Sequence, residues 1–188
     1  MNEVQNENLE QLKLASIVNI FNRLFEESEN TILKSGAKEP FYKAGKVQSN
    51  IKAHIYSREN FLSSALHEIA HWAIAGSERR EKDDFGYWYA AEGRSVEQQK
   101  AFEKVEVKPQ AVEWLLSLAC NHPFHYSADN LTNDISASQS FKTAVKQQSI
   151  QYLDFGIPQR AQCLIDEFTA VFRAGQDLKV AELEQYHA

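Results

Sequence analysis

Leu66-His67-Glu68-Ile69-Ala70-His71-Trp72 is an H-E-x-x-H pattern inside an apolar run, with no helix breaker between Ser57 and Ala75. On an α-helix, residues i and i+4 lie one above the other on the same face. His67 and His71 therefore direct their imidazoles toward one point, which is what a metal ion needs from two ligands. At this composition the pattern arises by accident in about one chain in a hundred of this length.

Drawn at about 100° per residue, the helix places Leu62, Ala65, Leu66, Ile69 and Ala73 on one side. His67 and His71 fall almost opposite, flanked by Ala70 and Ile74, with Glu68 and Trp72 on the remaining side. No charged face is visible, so the helix is expected to be buried nearly all round with its histidines turned inward. Buried polar groups need partners, and a metal is the partner this spacing offers. Ser57 is the expected N-cap of a helix over 57–75, and Gly76 the residue that ends it.

Working outward, Asn50 to Tyr56 alternates, with Ile51, Ala53 and Ile55 against Lys52, His54 and Tyr56. That predicts a half-buried strand leading into the helix, with His54 an ordinary histidine on its polar side. Residues 29–49 read as irregular because Gly36, Pro40 and Gly45 interrupt them. Residues 7–28 carry Leu9, Leu12, Ile17, Ile20, Phe21, Leu24 and Phe25 at helical spacing and predict a packing helix.

Beyond the motif lies a charged connector, residues 77–84, whose Arg79 and Arg80 are candidates for contact with an acidic macromolecule. Phe85-Gly86-Tyr87-Trp88-Tyr89 follows, four aromatics in five residues, read as core packing or a pocket wall. Residues 95–119 read as helical, with Pro109 expected to divide or kink them near Lys108. Residues 121–133 read as a loop whose His122 and His125 are loop histidines. Helices are expected over 135–153 and 159–173, with Pro158 near the first turn of the latter and Gly175 after its end, and a short one over 177–186. The class predicted is α+β, mostly α: one domain over 1–188, with a zincin-like arrangement of a buried motif helix and a small sheet beside it.

The chain has 188 residues and a net charge of −6, which argues against a general nucleic-acid role. No apolar run is long enough to span a membrane, and the acidic start is unlike a secretory signal. Cys120 and Cys163 are isolated and read as reduced thiols, so a cytoplasmic protein is expected.

Two histidines do not complete a metal site, since a catalytic metal usually takes three protein ligands and keeps open positions. No third histidine follows at short spacing, because positions 74–77 are Ile, Ala, Gly and Ser. Glu103, Glu106 and Glu113 are the candidate carboxylates in the next apolar helical stretch. Glu106, between Val105 and Val107, is the first choice and Glu103 the second. Such a set supports a zinc peptidase with Glu68 as general base, or an iron oxygenase with two histidines and a carboxylate on one face of the ion. A non-catalytic module with a structural metal is the third reading.

The segments His67-Glu68-Ile69-Ala70-His71-Trp72-Ala73-Ile74-Ala75-Gly76, Asp84-Phe85-Gly86-Tyr87-Trp88-Tyr89, Val105-Glu106-Val107-Lys108-Pro109-Gln110-Ala111 and Gly156-Ile157-Pro158-Gln159-Arg160 resemble the bacterial elongation factor P hydroxylase family. The likeness covers roughly residues 50–165 in order and spacing. It implies hydroxylation of a β-lysylated lysine on elongation factor P by a metal-dependent enzyme, with Fe(II) the expected ion and O2 the co-substrate. It carries His67, His71 and Glu106 over as metal ligands and leaves Glu68 as a catalytic residue or an orienting one. Tyr87, Trp88 and Tyr89 then become candidates for the slot that admits a cationic chain. Arg79, Arg80, Lys104 and Lys108 become candidates for meeting the protein substrate.

Overall fold

The computed structural model describes residues 3–46, 49–86, 95–127 and 137–185. The chain divides into two compact units, Met1–Tyr87 and Trp88–Ala188. Among the described residues helix dominates, with one sheet of three strands.

In the first unit, helix α1 (Glu3–Phe25) presents Ile17, Phe21 and Phe25 at one-turn spacing, all buried. Strands β1 (Thr31–Ala37), β2 (Phe41–Lys43) and β3 (Ala53–Arg58) form a sheet in the order β1-β3-β2. β1 runs parallel to β3, and β2 antiparallel to it. The residues expected to be irregular thus supply two strands, and the expected breakers serve them. Gly36 takes φ +91° in β1, and a Cβ on Gly45 would lie 2.6 Å from the amide nitrogen of Ala53, so only glycine admits that approach. Asn22 of α1 pairs its side-chain amide with the backbone N–H and C=O of Leu33, at 2.7 and 3.2 Å. That seals the exposed edge of β1.

β3 sends Ala53, Ile55 and Ser57 inward. The alternation expected from Asn50 is correct in kind but begins later, and Ile51 is exposed. Helix α2 then spans Leu62–Ile74. Ser57 is therefore not its N-cap: it is buried in β3, and Phe61 stands at the cap position without a side-chain bond. Gly76 follows the helix at φ −66°, so the end is an extended residue and not a left-handed glycine. Trp72 packs edge-on to Phe21 and tilted against Phe25, with ring centroids 4.9 and 4.7 Å apart. Burial of three such rings fixes α2 on α1.

The connector forms a single-turn helix α3 (Ser77–Arg80) and a 3-10 turn, Asp83–Gly86.

In the second unit, Ser95 caps helix α4 (Val96–Ala119) with Gln98 completing a capping box. Pro109 lies inside this one helix, so the expected division does not occur. A mid-helix proline costs about 3 kcal/mol. The buried turns after it, Ala111 to Ser117, outweigh that cost. Helix α5 (Gln139–Phe155) begins at the cap residue Ser138, later than expected, and ends at Gly156 with φ +121°. Helix α6 (Gln159–Phe172) starts after Pro158, as the sequence indicates, and α7 (Val180–Glu184) is short. Val112, Trp114, Leu115, Phe141, Val145, Leu164, Ile165, Phe168 and Leu183 form the core of this unit.

Candidate metal centre

α2 is not buried all round. Leu62, Ala65, Leu66, Ile69, Ala70, Trp72 and Ala73 are buried, while His67, Glu68 and His71 share a half-buried stripe. The helix therefore uses its apolar face for packing and keeps the motif face partly open. Open access is what a metal that must meet substrate requires.

The spacing brings the imidazoles together as expected. The two Nε2 atoms lie 3.1 Å apart, with the ring planes at 66°. Two ligands each about 2.1 Å from a common ion in cis positions stand about 3 Å apart, so the pair fits one metal without rearrangement.

Each carboxylate candidate takes a different place on α4. Glu103 accepts hydrogen bonds from the backbone N–H and the hydroxyl of Ser138, at 3.1 and 2.7 Å. Ser138 in turn accepts from the N–H of Phe141 and caps α5. Glu103 is thus committed to holding a helix end. Glu113 is buried one turn beyond Gln110. Glu106 is only 1% exposed, whereas its neighbour Val105 is 44% exposed. The helix turns the carboxylate inward and the valine outward, the reverse of hydrophobic order. A buried charge demands a cation or donors.

The same face of α4 carries Gln99, Glu103, Glu106, Gln110, Glu113 and Ser117, all buried and spaced 4-3-4-3-4. Gln110 exchanges two hydrogen bonds with the backbone of Ser127, at 2.8 and 3.1 Å. Phe124 and Tyr126 pack on Trp114 beside it. Sequence reading missed this buried polar stripe, although its heptad-like spacing is visible in the sequence.

Near His71 in the first unit, Phe85 is buried, stacked on Tyr42 with centroids 4.2 Å apart. Its ring is also 15° from parallel to His71, at 6.4 Å. Asp84 accepts from the N–H of Tyr42, and burial pushes its carboxyl above the usual carboxylate range. Asp83 is held below that range by its hydrogen bond from Lys43, helped by the N–H of Ala44. His54 stacks on Tyr56, and burial with nearby Lys34 lowers its pKa. It lies on β3, the strand expected to carry it.

Arg79 is exposed. Arg80 pairs with Glu29 at 2.6 Å and lies over the Trp72 ring, so its guanidinium is engaged within the unit. Tyr87, Trp88 and Tyr89 lie outside the described residues. Cys120 is buried and Cys163 half-buried, both free thiols. Among the described residues no helix is long and apolar enough to cross a membrane.

Residues 20–183 match the sequence profile of elongation factor P hydroxylases. The chain is also 46% identical over 172 residues to a Haemophilus influenzae protein named elongation factor P lysine hydroxylase, covering 92% of this chain and 96% of the relative. Both matches span the motif helix and the polar stripe of α4, and this chain belongs to the elongation factor P hydroxylase family.

Proposed function

We propose that this protein hydroxylates a β-lysylated lysine of elongation factor P in the cytoplasm, with iron held by His67, His71 and Glu106, each offering one donor atom. The observation that carries this reading is the paired Nε2 atoms at 3.1 Å on the half-open face of α2, in a chain of this family. The buried Glu106 supports it, because two neutral nitrogens and one carboxylate suit Fe(II) with positions left open. This constitutes a zincin-like use of the motif helix for oxidation. Family membership favours the oxygenase over the zinc peptidase that the same donors would otherwise permit.

Iron held by these residues would supply O2 activation. The net reaction would place one oxygen atom in a C–H bond of the lysine side chain, with a reductant giving the two electrons that take the other to water. The protein's part is positional. His67 and His71 orient their nitrogens from a rigid helix, and Glu68 beside them holds a water or proton at the site. Tyr87, Trp88 and Tyr89 receive the cationic chain, and Arg79 meets the acidic surface of the substrate protein.

The test is the mass of β-lysylated elongation factor P after incubation with anaerobically iron-loaded protein, O2 and a reductant. A gain of one oxygen that disappears in His67→Ala is expected. No gain, with tightly held stoichiometric zinc and peptide cleavage lost in Glu68→Gln, overturns the reading in favour of a peptidase.

A further inference from the structure

Three successive residues, Asp84, Phe85 and Gly86, hold left-handed backbone with φ of 48°, 58° and 70°. Glycine accepts this region freely and aspartate tolerates it, but a bulky aromatic there is an outlier. Such a conformation persists only where its surroundings over-determine it, and outliers of this kind gather at functional sites.

The surroundings are specific. Asp84 accepts from the N–H of Tyr42 at 2.9 Å. Asp83 accepts from the N–H of Ala44 at 2.9 Å and from the ammonium of Lys43 at 2.7 Å. The Tyr42 hydroxyl donates to the carbonyl of Arg80 at 2.8 Å, and the N–H of Phe85 to the carbonyl of Lys82 at 3.0 Å. β2 therefore clamps the turn through side chains at two successive positions. The clamp delivers one thing, the Phe85 ring, buried and nearly parallel to both Tyr42 and His71.

Phe85 is one of the neighbours that bear on the plane of the His71 ring, beside the contact of that ring with His67. The χ2 torsion of histidine is broad, so no rotamer well sets the plane of its imidazole. On a half-open helix face that plane must be set from outside. Offset aromatic pairs hold one another at centroid separations of about 4.5–7 Å, which includes the 6.4 Å between Phe85 and His71.

We propose that Phe85 is a positioning residue for the metal centre: the strained Asp84-Phe85 turn, clamped to β2, holds its ring parallel to His71 and so aims the ligating nitrogen of His71 toward that of His67. This rests on the metal reading above and adds to it a residue that touches neither metal nor substrate.

Equilibrium binding of Co(II) to the full-length apoprotein, with its visible absorption spectrum, tests the assignment without recourse to turnover. Phe85→Leu keeps apolar volume but removes the plane, and Asp84→Ala removes the clamp. Each is expected to weaken Co(II) binding at least about tenfold, the scale for groups that orient ligands, and to shift the Co(II) bands while near-ultraviolet dichroism stays native. Asp84→Asn offers the same acceptor and tolerates the same backbone, so it is expected to restore affinity to within about twofold of wild type. Folded Phe85→Leu with wild-type affinity and spectrum overturns the proposal, and if that variant does not fold, Asp84→Ala decides by the same criterion. His67→Ala separates the two layers. If it binds Co(II) as wild type does, the metal reading falls and takes this inference with it. If it loses binding while Phe85→Leu does not, the inference falls alone.

Discussion

In α2 the residues that pack are the apolar ones, Leu62, Ala65, Leu66, Ile69 and Trp72, and the polar His67, Glu68 and His71 stay half-open. α4 also buries apolar residues, among them Phe102, Val112, Trp114 and Leu115, but one of its faces adds polar ones. Gln99, Glu103, Glu106, Gln110, Glu113 and Ser117 are buried, and Val105 faces out. One helix spends its hydrophobicity on stability and exposes its chemistry. The other buries polar groups, each of which must find a specific partner or lose free energy. Glu103 and Gln110 meet that demand with Ser138 and Ser127. Burial in α4 is therefore a sign of committed polar roles, and Glu106 is the member whose proposed role is catalytic.

The contrast is most sharply tested at Glu106. Glu106→Gln is expected to lower hydroxylation by more than about a hundredfold, beyond what removing a group that merely orients a ligand achieves. The apoprotein is expected to be no less stable, because neutralising a buried carboxylate removes a desolvation cost. Product mass and chemical denaturation of the metal-free protein check both halves. A fully active variant would return the ligand role to Glu103 or Glu113 and make the stripe of α4 purely structural.

Trp72 on α2 should behave in the opposite way. Trp72→Ala empties the contact with Phe21 and Phe25 and is expected to destabilise by about 3–5 kcal/mol, read by urea denaturation. A loss below about 1 kcal/mol, the typical point-mutation effect, would mean that the apolar face of α2 is not what holds the motif helix in place.

How far these two helices could be read in advance follows from the same contrast. α2 obeys the rule that apolar means inside, so its periodicity, and that of the strand before it, were legible. Its histidines were placed on the right face but assigned too much burial, because counting charges on a wheel does not distinguish a closed face from a half-open one. α4 breaks the rule. Its polar period is on the page, yet the valines and leucines between draw the reading, which singles out Glu106 and then Glu103 and passes over Gln99, Gln110 and Ser117. Pro109 reads as a division or a kink because local chemistry is visible in sequence and the burial of the following turns is not. β1 and β2 were missed for a related reason. They are short, and their support is remote, from Asn22 on α1 and from the approach that Gly45 allows. The left-handed Asp84-Phe85 turn had no local signal, since neither residue is a glycine.

A smaller effect sharpens the contrast at Glu103. If this carboxylate serves the α5 cap, Glu103→Ala is expected to cost about 1 kcal/mol, the usual value of a helix cap, with hydroxylation retained by the folded protein. Thermal melting and product mass measured together separate that from a ligand role, which would remove product and spare stability.

The smallest effect expected lies in the turn that follows α2 and depends on pH. Burial raises the Asp84 carboxyl above its unfolded value, with the Tyr42 amide opposing. An acid raised on folding favours the protonated form in the native state. Its contribution to stability is therefore present below the unfolded carboxylate range and lost as pH rises through the folded value. Once ionised, the group is a net liability that the clamp tolerates. Asp84→Asn keeps the acceptor, removes the charge and suits left-handed backbone. It is expected to raise the melting temperature at pH 7 by up to about 2 °C, and to lose that advantage below the carboxylate range, where wild-type Asp84 is itself neutral. Melting curves at the two pH values decide it. An advantage that persists at low pH would come from the backbone preference of asparagine alone, and the charge of Asp84 would then have no part in the strain of this turn.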